Sequence, residues 1–241
     1  MEHGLNDDPT QSVVQLEGCP ATPDDLTSAK PLLCAKQWEE KGDLAKARDL
    51  YLLASHSGDP EEARHGRQET MRICVDLAKR CGDVDSFRVI VEYHQTKLVR
   101  LCSHIIGATC IEDIHDLVQE TFIRAWEKMD TLRDSRQVSA WLMRIAARLA
   151  YDFIRRKSRE RVFRSQFRVD PSPPRSEGLS REYVELLEVL PNRDDRVILH
   201  LHLVEGLTYR EIAVVLDLGI GEDAVRVRAA KALRSMREFL E

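Results

Sequence analysis

An all-α protein is predicted by three features of this chain. Apolar residues from Pro31 onward recur at spacings of three and four, no segment alternates with period two, and the periodic stretches are punctuated by Gly42-Asp43, Gly58-Asp59-Pro60 and Gly107. The expected organisation is two small helical domains joined by a flexible linker, with a helical hairpin ahead of them. Hydrophobic residues at 43% and charged residues at 32% of 241 describe a globular chain and exclude the disordered and membrane classes. No run approaches the roughly 18 apolar residues of a bilayer span. The acidic start, "MEHGLNDDPT", lacks the apolar stretch of a secretory signal, so a cytoplasmic protein without membrane insertion is expected.

Residues 1–30 hold Pro9, Pro20 and Pro23 among small polar residues and read as a disordered tail. Residues 31–82 read as a helical hairpin. Leu44, Ala47, Tyr51 and Ala54 lie on one face of the first pattern, and Met71, Val75 and Ala78 on one face of the second. Trp38, Gly42, Ala47, Tyr51 and Ala54 fall at tetratricopeptide spacing, but one repeat is short of the about three that such arrays need. A plain αα-hairpin packed on the next domain is therefore preferred.

Residues 83–160 read as the first domain. Phe87, Ile90, Val91, His94, Leu98 and Leu101 form one stripe, and Ile114, Leu117, Val118, Phe122, Ala125 and Trp126 another. A polar connection, "DTLRDSRQV", leads into a helix on which Trp141, Ile145, Leu149 and Phe153 recur every four residues. Residues 161–180 carry Pro171, Pro173 and Pro174 without helical period and read as a linker. Residues 181–241 read as helical to the end. Within them "GLTYREIA" places Thr208 and Glu211 at the spacing of a capping box. A short helix ends near Asp217, a turn holding Gly219 and Gly221 follows, and a second helix starts near Glu222. Two helices about a tight glycine-containing turn, the second one basic, are a helix-turn-helix arrangement. Val225, Ala229, Ala232, Leu233 and Met236 form the apolar stripe of that second helix, with Arg226, Arg228, Lys231, Arg234 and Arg237 off it.

Charge is unevenly placed. The chain carries −5, and residues 1–82 hold ten Lys/Arg against fifteen Asp/Glu, also −5. The stretch Ser139–Arg168 holds nine Lys/Arg against Asp152 and Glu160, or +7. A local basic stripe in an acidic chain points to nucleic acid. Arginine suits that partner because its fork binds phosphate, or the O6/N7 edge of guanine, in two contacts.

The six cysteines include no C-x-x-C pair and read as small buried hydrophobes; the alternative is a metal or redox site of Cys74, Cys81, Cys102 and His104. His94, His104, His115, His200 and His202 sit in helical patterns and read as satisfied structural histidines. With no P-loop and no H-E-x-x-H, neither an enzyme nor a cofactor is expected.

Two stretches together resemble a known family. "DLVQETFIRAW" followed by "SAWLMRIAARLAYDFIRR" is similar to the second region of bacterial sigma-70-type factors, and "LPNRDDRVILHLHLVEGLTYREIAVVL" is similar to the fourth. With only these regions and a short linker, the chain most resembles the extracytoplasmic-function (ECF) subgroup. The resemblance covers roughly residues 83–241 and leaves residues 1–82 unaccounted for. It implies a factor that binds core RNA polymerase, directs it to promoter DNA and helps open the strands. The alternative is a helix-turn-helix regulator that never docks on polymerase.

By resemblance, the polymerase contacts fall at Asp113, Asp116, Leu117, Gln119, Glu120 and Phe122, with Leu117, Phe122 and Trp126 facing inward. The −10 element, partly single-stranded, falls to Thr131, Arg133, Ser135, Arg136 and Gln137 of the loop and to Arg144, Arg148, Arg155, Arg156 and Lys157 along the helix. Trp141 and Phe153 read as core rather than as stacking platforms. The duplex −35 element falls to Tyr209, Arg210, Arg226, Arg228 and Lys231. The turn "DLGIGEDAV" is about two residues longer than the family's usual turn, leaving the register of the recognition helix to be settled by structure. For the extension three roles are open: an internal inhibitor drawn to the basic stripe, a site for a separate regulator such as an anti-sigma factor, or a support for the second region.

Overall fold

The computed structural model describes residues 31–107, 111–163, 187, 189–217 and 219–240. Nine α-helices and no strand occur among them: α1 (Pro31–Glu40), α2 (Leu44–Ala54), α3 (Pro60–Cys81), α4 (Val84–Ile106), α5 (Ile111–Glu127), α6 (Val138–Phe163), α7 (Arg193–Leu203), α8 (Tyr209–Leu216) and α9 (Glu222–Leu240). The tail 1–30 and most of the linker, 164–180, lie outside the described residues. None of the described helices is long and apolar enough to cross a membrane.

Side-chain caps set the helix starts. Asp43, Asp59, Asp83, Asn192 and Thr208 each accept a backbone N–H from the first turn of the helix that follows. Gly82, at φ +62, ends α3 in the left-handed conformation that glycine adopts without strain. Residues 31–82 hold three helices rather than the expected hairpin, because the chain turns at Gly42 and Asp43 caps a separate α2; α2 packs on both α1 and α3 around a small core of Ala35, Ala47, Leu50, Tyr51 and Ile73. Gly66 is what lets α3 approach α2: a Cβ there would lie 2.6 Å from the Ser55 amide nitrogen and 2.9 Å from the Tyr51 carbonyl oxygen. Gly66→Ala is expected to destabilise the chain by about 1–3 kcal/mol. The roughly 1 kcal/mol of helix propensity that alanine adds cannot compensate, because backbone rather than a flexible side chain must yield. Urea unfolding of the variant against the parent checks this; equal midpoints would refute the close approach.

Helices α3 to α9 share one hydrophobic core. Within it α6 packs against α8, and α4 against α7, so the two halves of the protein meet along a buried seam. Polar contacts reinforce the seam. Tyr151 donates to Asp194 at 3.0 Å, and Lys97 pairs at 3.4 Å with Glu205, whose side chain is only 3% exposed.

Several details depart from the sequence reading. On α6 the fully buried residues are Leu142, Met143, Ala146, Ala147 and Ala150, together with Leu149, while Trp141, Ile145 and Phe153 are half-buried at the margin. This helix touches α4, α5 and α8, so its buried face is wide and centred on small residues that admit close neighbours. Trp126 is 38% exposed, edge-on to Phe87 at 4.9 Å, because it is the penultimate residue of α5, where little remains to cover it. Leu233 is likewise 36% exposed rather than core. The polar connection before α6 is two short 3-10 turns, Met129–Thr131 and Ser135–Gln137, pinned by buried Met129, Leu132 and Val138.

The histidine expectation also changes. His94 binds the Ile90 carbonyl through Nδ1, but its Nε2 has no partner among the described residues. His104 and His200 stack across the seam with centroids 4.4 Å apart, and neither nitrogen of His200 has a hydrogen-bond partner among the described residues. Cys74 and Cys102 are buried, and burial pushes both thiols up to about 12, which makes them inert hydrophobes at neutral pH. Among the described residues no three His, Cys, Asp or Glu side chains gather where they could hold a metal.

Candidate nucleic-acid and polymerase interfaces

The solvent face of α6 is built by periodicity. Gln137, Arg144, Arg148, Arg155 and Arg159 follow at spacings of seven, four, seven and four, which return to nearly the same helical azimuth. All five are exposed, so Arg144 to Arg159 lay cations along about 22 Å of one face. Arg155 is held by Asp152, one turn back, and the Arg155 guanidinium holds the Asp152 carboxyl below the usual carboxylate range. Arg156 is exposed on the flank of the stripe. Lys157 lies on the opposite side: it reaches α5, pairing with Asp113 at 2.6 Å, and stands over the Phe153 ring. Two residues assigned to different partners are thus each other's partner here.

Thr131, Arg133, Arg136 and Gln137 are exposed on the loop that feeds this stripe. Ser135 is engaged from behind, donating its hydroxyl to Asp76 of α3 at 2.5 Å. Lys79, also on α3, donates to the Leu132 carbonyl at 2.6 Å. Spacing within residues 83–160 gave no signal of this support, because both anchors lie some 50–60 residues upstream.

On α5 the azimuths split the assigned polymerase contacts. Leu117 and Phe122 are buried, while Asp116 and Gln119 are exposed. Glu120 pairs with Arg124 at 2.7 Å. The outward stripe continues to Ile123, 55% exposed, which the sequence reading passed over. Its signal was present: Asp116, Gln119 and Ile123 are spaced three and four. An isoleucine standing among polar residues on such a face suits burial under a partner.

The helix-turn-helix is formed by α8 and α9. Thr208 and Glu211 make the reciprocal capping box, and Asp217, at φ 47, ends α8. Gly219, at φ +71, supplies the left-handed position that the longer turn needs. Val225, Ala229, Ala232 and Met236 fix the register of α9 by burial. That register turns Arg228 inward, where it pairs with Asp195 at 2.7 Å and Asp194 at 3.6 Å on α7. Arg226 points outward, paired with Glu222 at 2.8 Å, and Lys231, Arg234 and Arg237 are exposed. Val227, 68% exposed beside Arg226, was not singled out from the sequence; its signal was its position off the stripe Val225–Ala229–Ala232–Met236. A bare valine on a basic helix can take the contact that a thymine methyl offers. Arg210 is exposed at the start of α8, and Tyr209 beside it is half-buried against His202.

Comparison with known proteins bears on both halves. Residues 90–160 match the Sigma-70 region 2 family, and residues 180–236 match Sigma-70 region 4. The chain is 29% identical over 170 residues to the ECF RNA polymerase sigma factor SigW of Bacillus subtilis, covering 64% of this chain and 89% of that protein. It is 28% identical over 183 residues to the ECF RNA polymerase sigma-E factor of Escherichia coli, covering 69% and 93%. Its fold is like that of the sigma factor RpoE of Bartonella quintana, solved with the anti-sigma factor NepR, at TM-score 0.52 and 23% identity over 65% of this chain and 98% of that one. The matches to region 2 and region 4, in that order along the chain and together with these relatives, place the chain in the sigma-70 family, as a member of its ECF group.

Proposed function

We propose that this ECF sigma factor meets polymerase and promoter through the following faces. On α5, Asp116, Gln119 and Ile123 dock on core RNA polymerase, the carboxylate steering toward a basic surface and the isoleucine buried in the contact. Loop 131–137 and the α6 arginine stripe take the −10 element as its strands separate, with loop side chains reaching bases and arginines tracking phosphates. Arg226, Val227 and Lys231 of α9 read the −35 duplex, while Arg210 and the capped N-terminus of α8 hold its backbone. Arg228 serves by orienting α9 on α7. The observation that carries this reading is the stripe Arg144–Arg148–Arg155–Arg159, an aligned row of exposed cations in a chain of net charge −5.

Reconstituted transcription with core polymerase on a promoter library tests it, and failure to start defined transcripts would sink it. The docking face has its own test. Asp116→Lys with Ile123→Asp is expected to cost at least about 2 kcal/mol, or about 30-fold in affinity for core polymerase. The melting temperature should not move, since both residues are exposed. Unaltered affinity would remove α5 from the interface.

The elements are named for positions about 25 base pairs apart, roughly 85 Å along a duplex at 3.4 Å per step. Two regions sharing one core cannot reach both. We infer that the packed arrangement is the resting form and that polymerase binding separates α4–α6 from α7–α9. An anti-sigma protein, of the kind solved with the Bartonella factor, would act by holding the halves away from polymerase.

A further inference from the structure

A cleft of about 390 Å³ lies between α3, α4 and the entry to α6, sharing only Arg136 with the −10 loop and Lys97 with the seam. Its walls bring Arg64, Arg67 and Gln68 from α3 together with Tyr93 and Lys97 from α4 and Arg136 from the −10 loop. The cations are poorly compensated. Glu69, the acid on the wall, is held by Arg72 at 2.6 Å, and Lys97 is matched by Glu205. Arg67 gives one hydrogen bond to the neutral Ser55 carbonyl, and Arg64 and Arg136 have no ion pair among the described residues. Three arginines and an amide around one opening are the parts of a single-strand site, cations for phosphate and an amide for a base edge; the 38%-exposed Tyr93 ring at its side carries Lys97 Nζ over it at 4.9 Å, which adds a further cation to the wall. The cleft is also mechanically joined to the promoter-reading loop, since Asp76 and Lys79 of the same α3 hold Ser135 and Leu132. Residues 31–82 leave Arg144, Arg148 and Arg155 exposed, so this part of the extension does not cover the basic stripe.

We propose that the cleft binds single-stranded promoter DNA next to the −10 segment, making the N-terminal extension a further wall of the DNA channel. The proposal rests on the reading of loop 131–137 and α6 given above. Its test uses holoenzyme assembled from the full chain and core polymerase, on a promoter fragment selected from a random library. Arg64→Glu with Arg67→Glu removes two phosphate contacts from an exposed surface. Open-complex affinity should fall at least about 25-fold near 0.1 M salt, and the salt slope should drop by about 1.4. Hydroxyl-radical protection should shorten on one side of the −10 element while the −35 protection persists. Unchanged affinity, slope and footprint would overturn the proposal, and so would a loss confined to core-polymerase binding, which would make the cleft a protein contact. Displacement of the strand's protection by millimolar inorganic phosphate alone would mark a small-anion site and overturn it too. Arg144→Ala with Arg148→Ala, run in parallel, separates the two ideas. If that pair weakens the complex and the Arg64/Arg67 pair does not, only the cleft is refuted; if neither does, the α6 reading fails first.

Discussion

Replacing Arg144, Arg148 and Arg155 by alanine is expected to weaken promoter complexes of the holoenzyme about 100-fold near 0.1 M salt. Each phosphate contact on a single strand releases about 0.7 of a counterion, worth about fivefold at that salt concentration, and three such losses multiply. The salt slope should become shallower by about 2. Because all three side chains are exposed on α6 and lie off its buried face, the fold should be unaffected, and circular dichroism melting should overlay the parent. Lys157→Ala provides the contrast: it faces α5 and pairs with Asp113, so it should change the slope little. Filter binding or fluorescence anisotropy between 50 and 200 mM salt reads both variants. Equal slopes for the triple variant and the parent would show that the stripe does not touch DNA.

Lowering the pH from 7.5 to 5 is expected to remove several kcal/mol of stability and to loosen the seam between the two regions. Burial lowers His94 to about 4, His104 to about 4 and His200 to about 3, from an ordinary value near 6.5. The folded chain therefore keeps these rings neutral while the unfolded chain takes up protons below pH 6.5. Stability must then fall as pH falls, by about 2 kcal/mol per ring at pH 5. Neighbouring groups are part of this lowering, after burial itself. Arg196 and Arg100 face His104, Arg100 and His104 face His200, and Lys97 faces His94. Glu205 is 4.0 Å from His200 and is already matched by Lys97, so it offsets only part of the cost. Three rings together bring the loss to about 6 kcal/mol, a large share of the 5–15 kcal/mol that holds a domain folded. Urea unfolding at the two pH values measures the stability, and small-angle scattering measures the expansion as α7 leaves α4. His104→Leu with His200→Leu should abolish about two thirds of the pH dependence. A chain equally stable at pH 7.5 and 5 would contradict the neutral buried rings.

Much of the helix-turn-helix was legible in the chain. The Thr208–Glu211 spacing, the glycines of the turn and the start near Glu222 are local features, and the hydrogen bonds that realise them span only a few residues. The stripe Ile90–His94–Leu98–Leu101 and the buried face of α5 were legible for a similar reason, since helical periodicity reports which side is apolar. What periodicity could not report was how much neighbouring structure would cover that side. Trp126, Leu233 and Val227 are apolar yet remain 38%, 36% and 68% exposed, the first even with the Phe87 ring against it. Conversely, Arg228 reads as a surface cation and is drawn inward by two aspartates more than thirty residues away. The histidines failed the same way: His104 and His200 meet only because α4 and α7 pack, nearly a hundred positions apart.

The sequence by itself determined the helical character of the chain, the Thr208–Glu211 cap, the order of the two regions and the concentration of positive charge on α6, because each depends on residues close together along the chain. Only the tertiary structure decided which cations are free and which are spent on carboxylates, that the two regions share a core, and that α3 braces the loop ahead of α6. Those outcomes depend on side chains brought together from distant positions, where burial and pairing are set by which helices touch rather than by the pattern along any one of them.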